Sequence, residues 1–95
     1  MKYMVQWRIH EDKRHEALQA FSSMNSASDE PGLSDLKLIG RWHDVIGMTG
    51  VAIVETDDPK KLSMWLLNWN GTIDIEAVPV FDDDEAREMG REFLS

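Results

Sequence analysis

Two hydrophobic periods alternate along this chain, and the order in which they follow one another is the strongest constraint on its fold. Apolar side chains recur at every second position over residues 2–10, which is typical of a half-buried strand. A helical period follows the pair Asp58-Pro59, which is a strong signal for the start of a helix. The same patterns predict strands at about 2–10, 36–43, 48–56 and 73–81, and helices at about 12–24, at 59–70 and from 83 onward.

This order predicts an α+β domain with a ferredoxin-like βαββαβ arrangement. Right-handed crossovers in both βαβ halves give a four-stranded antiparallel sheet in the order 4-1-3-2, with two helices on one face. The chain adds an extra C-terminal helix. Pro79 favours an edge position for the fourth strand, because proline cannot donate to the ladder. At 95 residues, the chain has room for a single domain over residues 1–95.

Alternation within each strand assigns side chains to the two faces of this sheet. We expect the helix-covered face to carry Val5, Trp7, Ile9, Leu36, Leu38, Trp42, Ile73 and Ile75. We expect the opposite face, called the open face below, to carry Met4, Gln6, Arg8, Ile39, Arg41, His43, Glu76, Val78 and Val80. The open face is too apolar for solvent and too polar for a plain core. We therefore expect a homodimer that packs through it around a polar-lined cavity, with Ile39, Val78 and Val80 in the interface.

Composition excludes several classes of function. The chain has no cysteine, which rules out thiol nucleophiles, cysteine-ligated metals and disulfides. Ten basic and eighteen acidic residues give a net charge of −8, which disfavours binding to nucleic acid or to an anionic membrane. No apolar run approaches the roughly 20 residues of a membrane span, and the N-terminus lacks a secretion signal. We therefore expect a cytoplasmic protein.

No motif for a cofactor or a metal is present, and we expect neither. The P-loop, dinucleotide-binding and nucleophile-elbow motifs are absent. The three histidines also lack the spacing of a metal site. A set of two histidines and one carboxylate, His10, His43 and Glu76, is a geometrically conceivable alternative.

His43 and Arg41 are the sharpest candidates for a functional site. His43 ends the second strand, and its side chain suits acid–base catalysis near neutral pH, hydrogen bonding to a ligand, or a structural bond to Asp44. Arg41 has no acid opposite it if Glu55 faces the helices. Its guanidinium is then free to hold a ligand carboxylate in bidentate fashion. The structural alternative for Arg41 is an ion pair across the dimer.

Further candidate ligand contacts surround these two residues. Gly50 and Ala52 are small, so on the open face they leave space that a ligand or a partner side chain would fill. Gln6, Arg8 and Glu76 offer polar groups to the same space. For Arg8 the structural alternative is a cross-strand ion pair with Glu76.

Three expectations concern packing. Trp65 and Trp69 are expected to anchor the second helix to the sheet. Residues 25–35, with the turn signal Pro31-Gly32, are expected to form an exposed loop. The C-terminal helix is expected to bury Ala86, Met89, Gly90 and Phe93.

The pattern as a whole resembles the dimeric α+β barrel superfamily. Within that superfamily, the chain resembles a small family that has no assigned function. The resemblance lies in residues 40–43, 47–55, 57–59, 65–69 and 78–80. The similarity covers nearly the whole chain, and its Arg-Trp-His and Trp-x3-Trp elements are the more specific ones. The resemblance implies a dimer with a barrel cavity, and it identifies no catalytic residue. Related barrels include heme-free monooxygenases, lactone isomerases and heme-degrading enzymes, so the fold identifies no reaction.

Two hypotheses for function follow. The first is a small-molecule binding module, a homodimeric barrel whose cavity holds an apolar or aromatic ligand with its carboxylate on Arg41. The second is a cofactor-free enzyme, isomerase-like or monooxygenase-like, with His43 as the acid–base group. A His43 without a carboxylate in reach favours the first hypothesis, whereas a His43 oriented by Glu76 or Asp44 favours the second.

Overall fold

The computed structural model describes residues 1–95 as an α+β structure with a four-stranded antiparallel sheet and three α-helices. The strands are β1 (Lys2–Ile9), β2 (Lys37–Asp44), β3 (Thr49–Glu55) and β4 (Ile73–Val80), and the helices are α1 (Arg14–Ser22), α2 (Pro59–Leu67) and α3 (Asp83–Leu94). The strand order β2-β3-β1-β4 confirms the predicted order, read here from the other edge. None of the helices combines the length and the apolar content that a membrane crossing requires.

Local sequence explains where two of the helices begin. The Asp58 side chain accepts a hydrogen bond from the N–H of Lys60, the second residue of α2, as expected for a residue that precedes the start of a helix. Asp82 and Glu85 form a reciprocal capping box at the start of α3. The first helix begins at Arg14 rather than at the predicted residue 12, because a 3-10 turn occupies Glu11–Lys13, and α1 has no side-chain cap.

A β-bulge in β2 changes the face that each later side chain occupies. Leu38 pairs with Val54 of β3, but the next pair joins Gly40 to Ile53, so Ile39 has no partner of its own. One extra residue moves every side chain after it to the opposite face, because side chains in a strand alternate with a period of two.

The bulge overturns the face assignments in the second half of β2. Arg41 pairs with Ala52, and His43 pairs with Gly50, on the helix-covered face, where Ala52 is fully buried in the core. All four residues were expected on the open face. Trp42, expected under the helices, instead lies on the open face and is 63% exposed.

The core lies between the sheet and α2, and it includes part of the segment between α1 and β2. Its centre is formed by Val5, Leu33, Ala52, Val54, Leu62 and Trp65. The expected anchoring of α2 by Trp65 is confirmed, since this residue is 3% exposed. Leu33 and Glu30 are equally buried, so the expectation that residues 25–35 form an exposed loop is wrong at these two positions. Gly32 permits this close packing, with φ of +83° and the Trp65 backbone directly against it.

Nothing within the chain covers the open face or α3. The apolar residues of that face are only half-buried: Met4, Val51, Ile53, Val78 and Val80. α3 contains no buried residue, and Met89 and Phe93 are 48% and 86% exposed. The expectation that α3 buries its apolar stripe is therefore wrong for the chain on its own. Glu55, whose face the sequence pattern left open, lies on the open face opposite Lys2, with an Nζ–Oε2 distance of 3.7 Å.

Candidate functional site

The centre of the site is a buried carboxylate, Glu30, whose side chain is 1% exposed. Nη1 of Arg41 donates to both of its oxygens, at 2.8 Å to Oε1 and 3.1 Å to Oε2. The indole N–H groups of Trp65 and Trp69 also donate to Oε2, the latter at 3.3 Å. Four hydrogen bonds therefore offset the cost of removing this charge from water, and no buried side-chain nitrogen or oxygen in the structure is left without a partner.

Three different parts of the chain bring these groups together. Glu30 precedes the Pro31-Gly32 turn, which Leu33 fixes to the core. Arg41 reaches Glu30 only because the bulge in β2 turns it toward the helices. Trp65 lies in the last turn of α2, and Trp69 follows in the turn directly after the helix ends at Leu67.

Aromatic rings form a wall beside the ion pair. The ring of Phe21 in α1 lies next to both Arg41 and His43, with its centroid 5.0 Å from the guanidinium carbon and 4.7 Å from the imidazole centroid. Trp7 meets His43 edge-to-face at 5.7 Å between ring centroids. The Trp7 ring lies directly over Gly50, where any side chain would overlap it. The space above Gly50 is thus filled from within the chain.

A cavity of about 80 Å³ lies beside this wall, between the sheet and the helices α1 and α2. Its lining is predominantly apolar. The exposed side chains of Leu18 and Val45, at 44% and 66%, mark its mouth. The sequence pattern favours a ligand cavity on the open face, whereas this cavity lies on the opposite side of the sheet.

His43 contributes to the cavity wall without a hydrogen bond to any carboxylate. Asp44 is engaged in the turn between β2 and β3, where its Oδ1 accepts hydrogen bonds from the backbone N–H groups of Ile46 and Gly47, at 3.2 and 2.9 Å. Glu76 lies on the other face of the sheet, opposite Gln6. Burial, and after it the charge of Arg41, lowers the pKa of His43 below its ordinary value, against a smaller opposing effect of Glu30. The imidazole is therefore neutral at pH 7, able to donate one hydrogen bond and accept another.

The remaining predicted ligand contacts do not join this site. Gln6, Arg8 and Glu76 lie together on the open face, where they line a shallow depression. The predicted ion pair between Arg8 and Glu76 does not form, because the register places Arg8 opposite Asp74 instead. Arg8 is exposed and makes no salt bridge.

The conceivable metal set of two histidines and one carboxylate is not assembled. His10 lies at the end of β1, where Nε2 is 2.9 Å from Oδ1 of Asp74. His43 and Glu76 occupy opposite faces of the sheet. No group of three or more histidine, aspartate or glutamate side chains in the structure is close enough to hold a metal ion.

Glu30 and the tryptophan N–H groups are the site components that sequence analysis missed. Glu30 lies in a segment without any hydrophobic period, so no pattern marks it as buried. The available signal was Arg41 itself, since a partly buried guanidinium requires an acid and the neighbouring strand offers none at that position.

Comparisons with known proteins identify the family of the chain and no activity. No curated protein matches the chain, and no solved structure matches it either. Residues 1–94 match the family described as "Domain of unknown function (DUF3303)". The match extends over all seven helices and strands of the structure. The chain therefore belongs to the DUF3303 family.

Proposed function

We propose that the protein binds a small organic molecule in the helix-covered cavity, one with an apolar or aromatic body and a single accepting group such as a carboxylate. The Arg41 guanidinium is the observation that carries this proposal. Glu30 engages only Nη1, and Nη2 and Nε have no acceptor in the protein. Neither atom is sealed from solvent, although the side chain is only 12% exposed. Strong donors left open beside an apolar cavity favour a ligand that accepts from them.

The walls of the cavity suit the apolar part of such a ligand. Trp7 and Phe21 offer aromatic surface, and Leu18 and Val45 extend it outward at the mouth. A volume of about 80 Å³ is smaller than the roughly 150 Å³ cavity that holds benzene. A narrow chain or one edge of a ring therefore enters, while the rest of the ligand lies between the two mouth residues.

Binding ranks above catalysis because His43 has no orienting partner. A general base is normally held in position by a hydrogen bond to a carboxylate or a carbonyl, and His43 makes none. The alternative is a cofactor-free isomerase-like or monooxygenase-like enzyme with His43 as the acid–base group. Its support is the neutral imidazole in the cavity wall, which can accept a proton at pH 7.

We also propose that two copies pack through their open faces, so that a ferredoxin-like fold closes into a dimeric α+β barrel. The half-buried apolar side chains of the open face support this proposal, as does α3, whose apolar stripe has no cover in its own chain. Stable interfaces of this kind bury more than about 1,000 Å² in total. Gln6, Arg8 and Glu76 would then line the interior between the two sheets.

Calorimetric titration with hexanoate, benzoate and phenylacetate tests the binding proposal. The informative variant is Arg41→Lys. An ammonium keeps a positive charge beside Glu30, but it lacks the additional N–H donors that Nη2 and Nε of the guanidinium offer to a ligand. A charge-assisted hydrogen bond contributes about 1.5–3 kcal/mol, so binding should weaken at least about tenfold. Arg8→Lys on the open face is the matched control and should bind like the wild type.

Two results would reject the proposal. One is that none of the three acids binds the wild-type protein. The other is that Arg41→Lys binds them as tightly as Arg8→Lys does, which would return Arg41 to a purely structural role beside Glu30.

A further inference from the structure

Few charged groups face the cavity, and their net charge determines whether a charged ligand can bind there without a compensating charge. Glu30, from the segment between α1 and β2, and Arg41 of β2 neutralise each other across 2.8 Å. Asp44 is exposed at the mouth, and its carboxylate is held by its own turn. β1, β3, β4, α1 and α2 present only uncharged side chains to the cavity. Its interior is therefore neutral, apart from any charge that His43 acquires.

We propose that a carboxylate ligand enters this cavity together with one proton, which His43 takes up from solvent. The inference rests on the proposed binding function and specifies its charge balance. A carboxylate beside Arg41 and Glu30 leaves one uncompensated negative charge in an apolar site, which is costly. His43 is the one group of the cavity lining that can gain the missing positive charge. No covalent bond of the ligand changes, and the only new bond is N–H on the imidazole.

The geometry places His43 where this charge is needed. The ring of Phe21 contacts both the imidazole and the guanidinium, at 4.7 and 5.0 Å, so the two groups share one wall. Glu30 lies behind Arg41, away from solvent. A ligand carboxylate that accepts from Nη2 or Nε of Arg41, the nitrogens that Glu30 does not engage, would therefore lie against the same cavity wall as the imidazole.

The direction of the pH dependence follows from the free state of His43. Without ligand, burial and Arg41 lower the pKa of His43, and the imidazole is neutral at pH 7. A bound carboxylate raises that pKa, because an opposite charge nearby favours the charged form. Affinity for a carboxylate then rises as pH falls through the pKa of the complex, and it levels off below the pKa of the free protein. A neutral amide of the same shape requires no proton.

Calorimetry with phenylacetate and phenylacetamide, in buffers of different ionisation enthalpy, measures this proton directly. Between roughly pH 5.5 and 8, phenylacetate binding should take up close to one proton at its maximum, and phenylacetamide binding should take up none. His43→Gln keeps hydrogen-bonding groups without a titrating one, so it should abolish both the uptake and the rise in affinity at low pH. His15→Gln, an exposed histidine of α1, is the matched control and should retain both.

The outcomes separate the inference from the proposed function. If both probes bind and phenylacetate takes up no proton, the inference is overturned and the binding function stands. Proton uptake that persists in His43→Gln overturns the inference as well, because the proton then resides elsewhere. If neither probe binds the wild-type protein, both proposals fail.

Discussion

The two faces of the sheet are completed in different ways. Under the helices no buried side-chain nitrogen or oxygen lacks a partner, and even the carboxylate of Glu30 receives four hydrogen bonds. On the open face Trp42 is 63% exposed and Arg8 makes no ion pair. The buried polar cluster therefore lies on the helix-covered face, whereas the open face presents half-buried apolar side chains beside exposed polar ones such as Gln6, Arg8 and Glu76. This division is why we propose ligand binding on the first face and association of two copies through the second.

The strongest test of this contrast is to remove one acid from each face. Glu30→Ala leaves the Arg41 guanidinium and two indole N–H groups without their acceptor in a buried place, which should cost about 3–5 kcal/mol of stability. Glu76→Ala on the open face should change stability by less than about 0.5 kcal/mol. Urea unfolding of both variants measures the difference. Equal losses of stability would show that the hydrogen-bonded cluster around Glu30 does not stabilise the helix-covered face.

The second test exchanges one tryptophan on each face. Trp65→Phe keeps most of the buried ring but removes the N–H that Glu30 accepts from, so we expect a loss of about 1–3 kcal/mol. Trp42→Phe removes an exposed indole and should cost under about 0.5 kcal/mol. The same unfolding measurement applies. A loss from Trp65→Phe no larger than that from Trp42→Phe would mean that the hydrogen bond to Glu30 contributes nothing.

The open face is tested through the oligomeric state. Val80→Lys places an unpaired ammonium in the proposed interface and should shift the protein from dimer to monomer in sedimentation experiments. Val45→Lys makes the same exchange at the exposed β2–β3 turn and should leave the dimer intact. A wild-type protein that sediments as a monomer at micromolar concentration would contradict the proposed dimer.

The smallest expected effect is the pH dependence of stability that arises from His43. Its pKa is lowered in the folded state, so the unfolded chain binds a proton more readily. The contribution of His43 is therefore complete above its ordinary pKa and is lost as pH falls through that value toward the folded one. Ligand-free wild-type protein should lose more stability than His43→Gln between about pH 7.5 and about pH 5. Equal losses in urea unfolding would contradict the lowered pKa.

Strand order and the starts of α2 and α3 were predictable because each depends on strong local signals. The cap at Asp58, the box at Asp82 and the alternation in β1 are all contained within a few residues. The faces in the second half of β2 were predicted wrongly, because a bulge between Leu38 and Gly40 reverses the alternation. A glycine inside a strand is a known sign of a bulge, and Gly40 was that sign.

The faces of β3 show a different limit of sequence patterns. Its side chains are apolar or small on both sides, so alternation cannot distinguish the covered face from the open one. Only the register with β1, which places Val5 opposite Ala52, settles the question. The partner of Arg41 was beyond any local pattern, since Glu30 is eleven residues away and in another part of the fold.

The indole N–H signals of the four tryptophans show directly on which face of the sheet a ligand binds. Trp7, Trp65 and Trp69 line the helix-covered cavity, whereas Trp42 lies on the open face. Addition of phenylacetate to ¹⁵N-labelled protein should shift the indole N–H signals of these three and leave that of Trp42 unchanged. A shift of the Trp42 signal alone would place the ligand between the open faces and contradict the account.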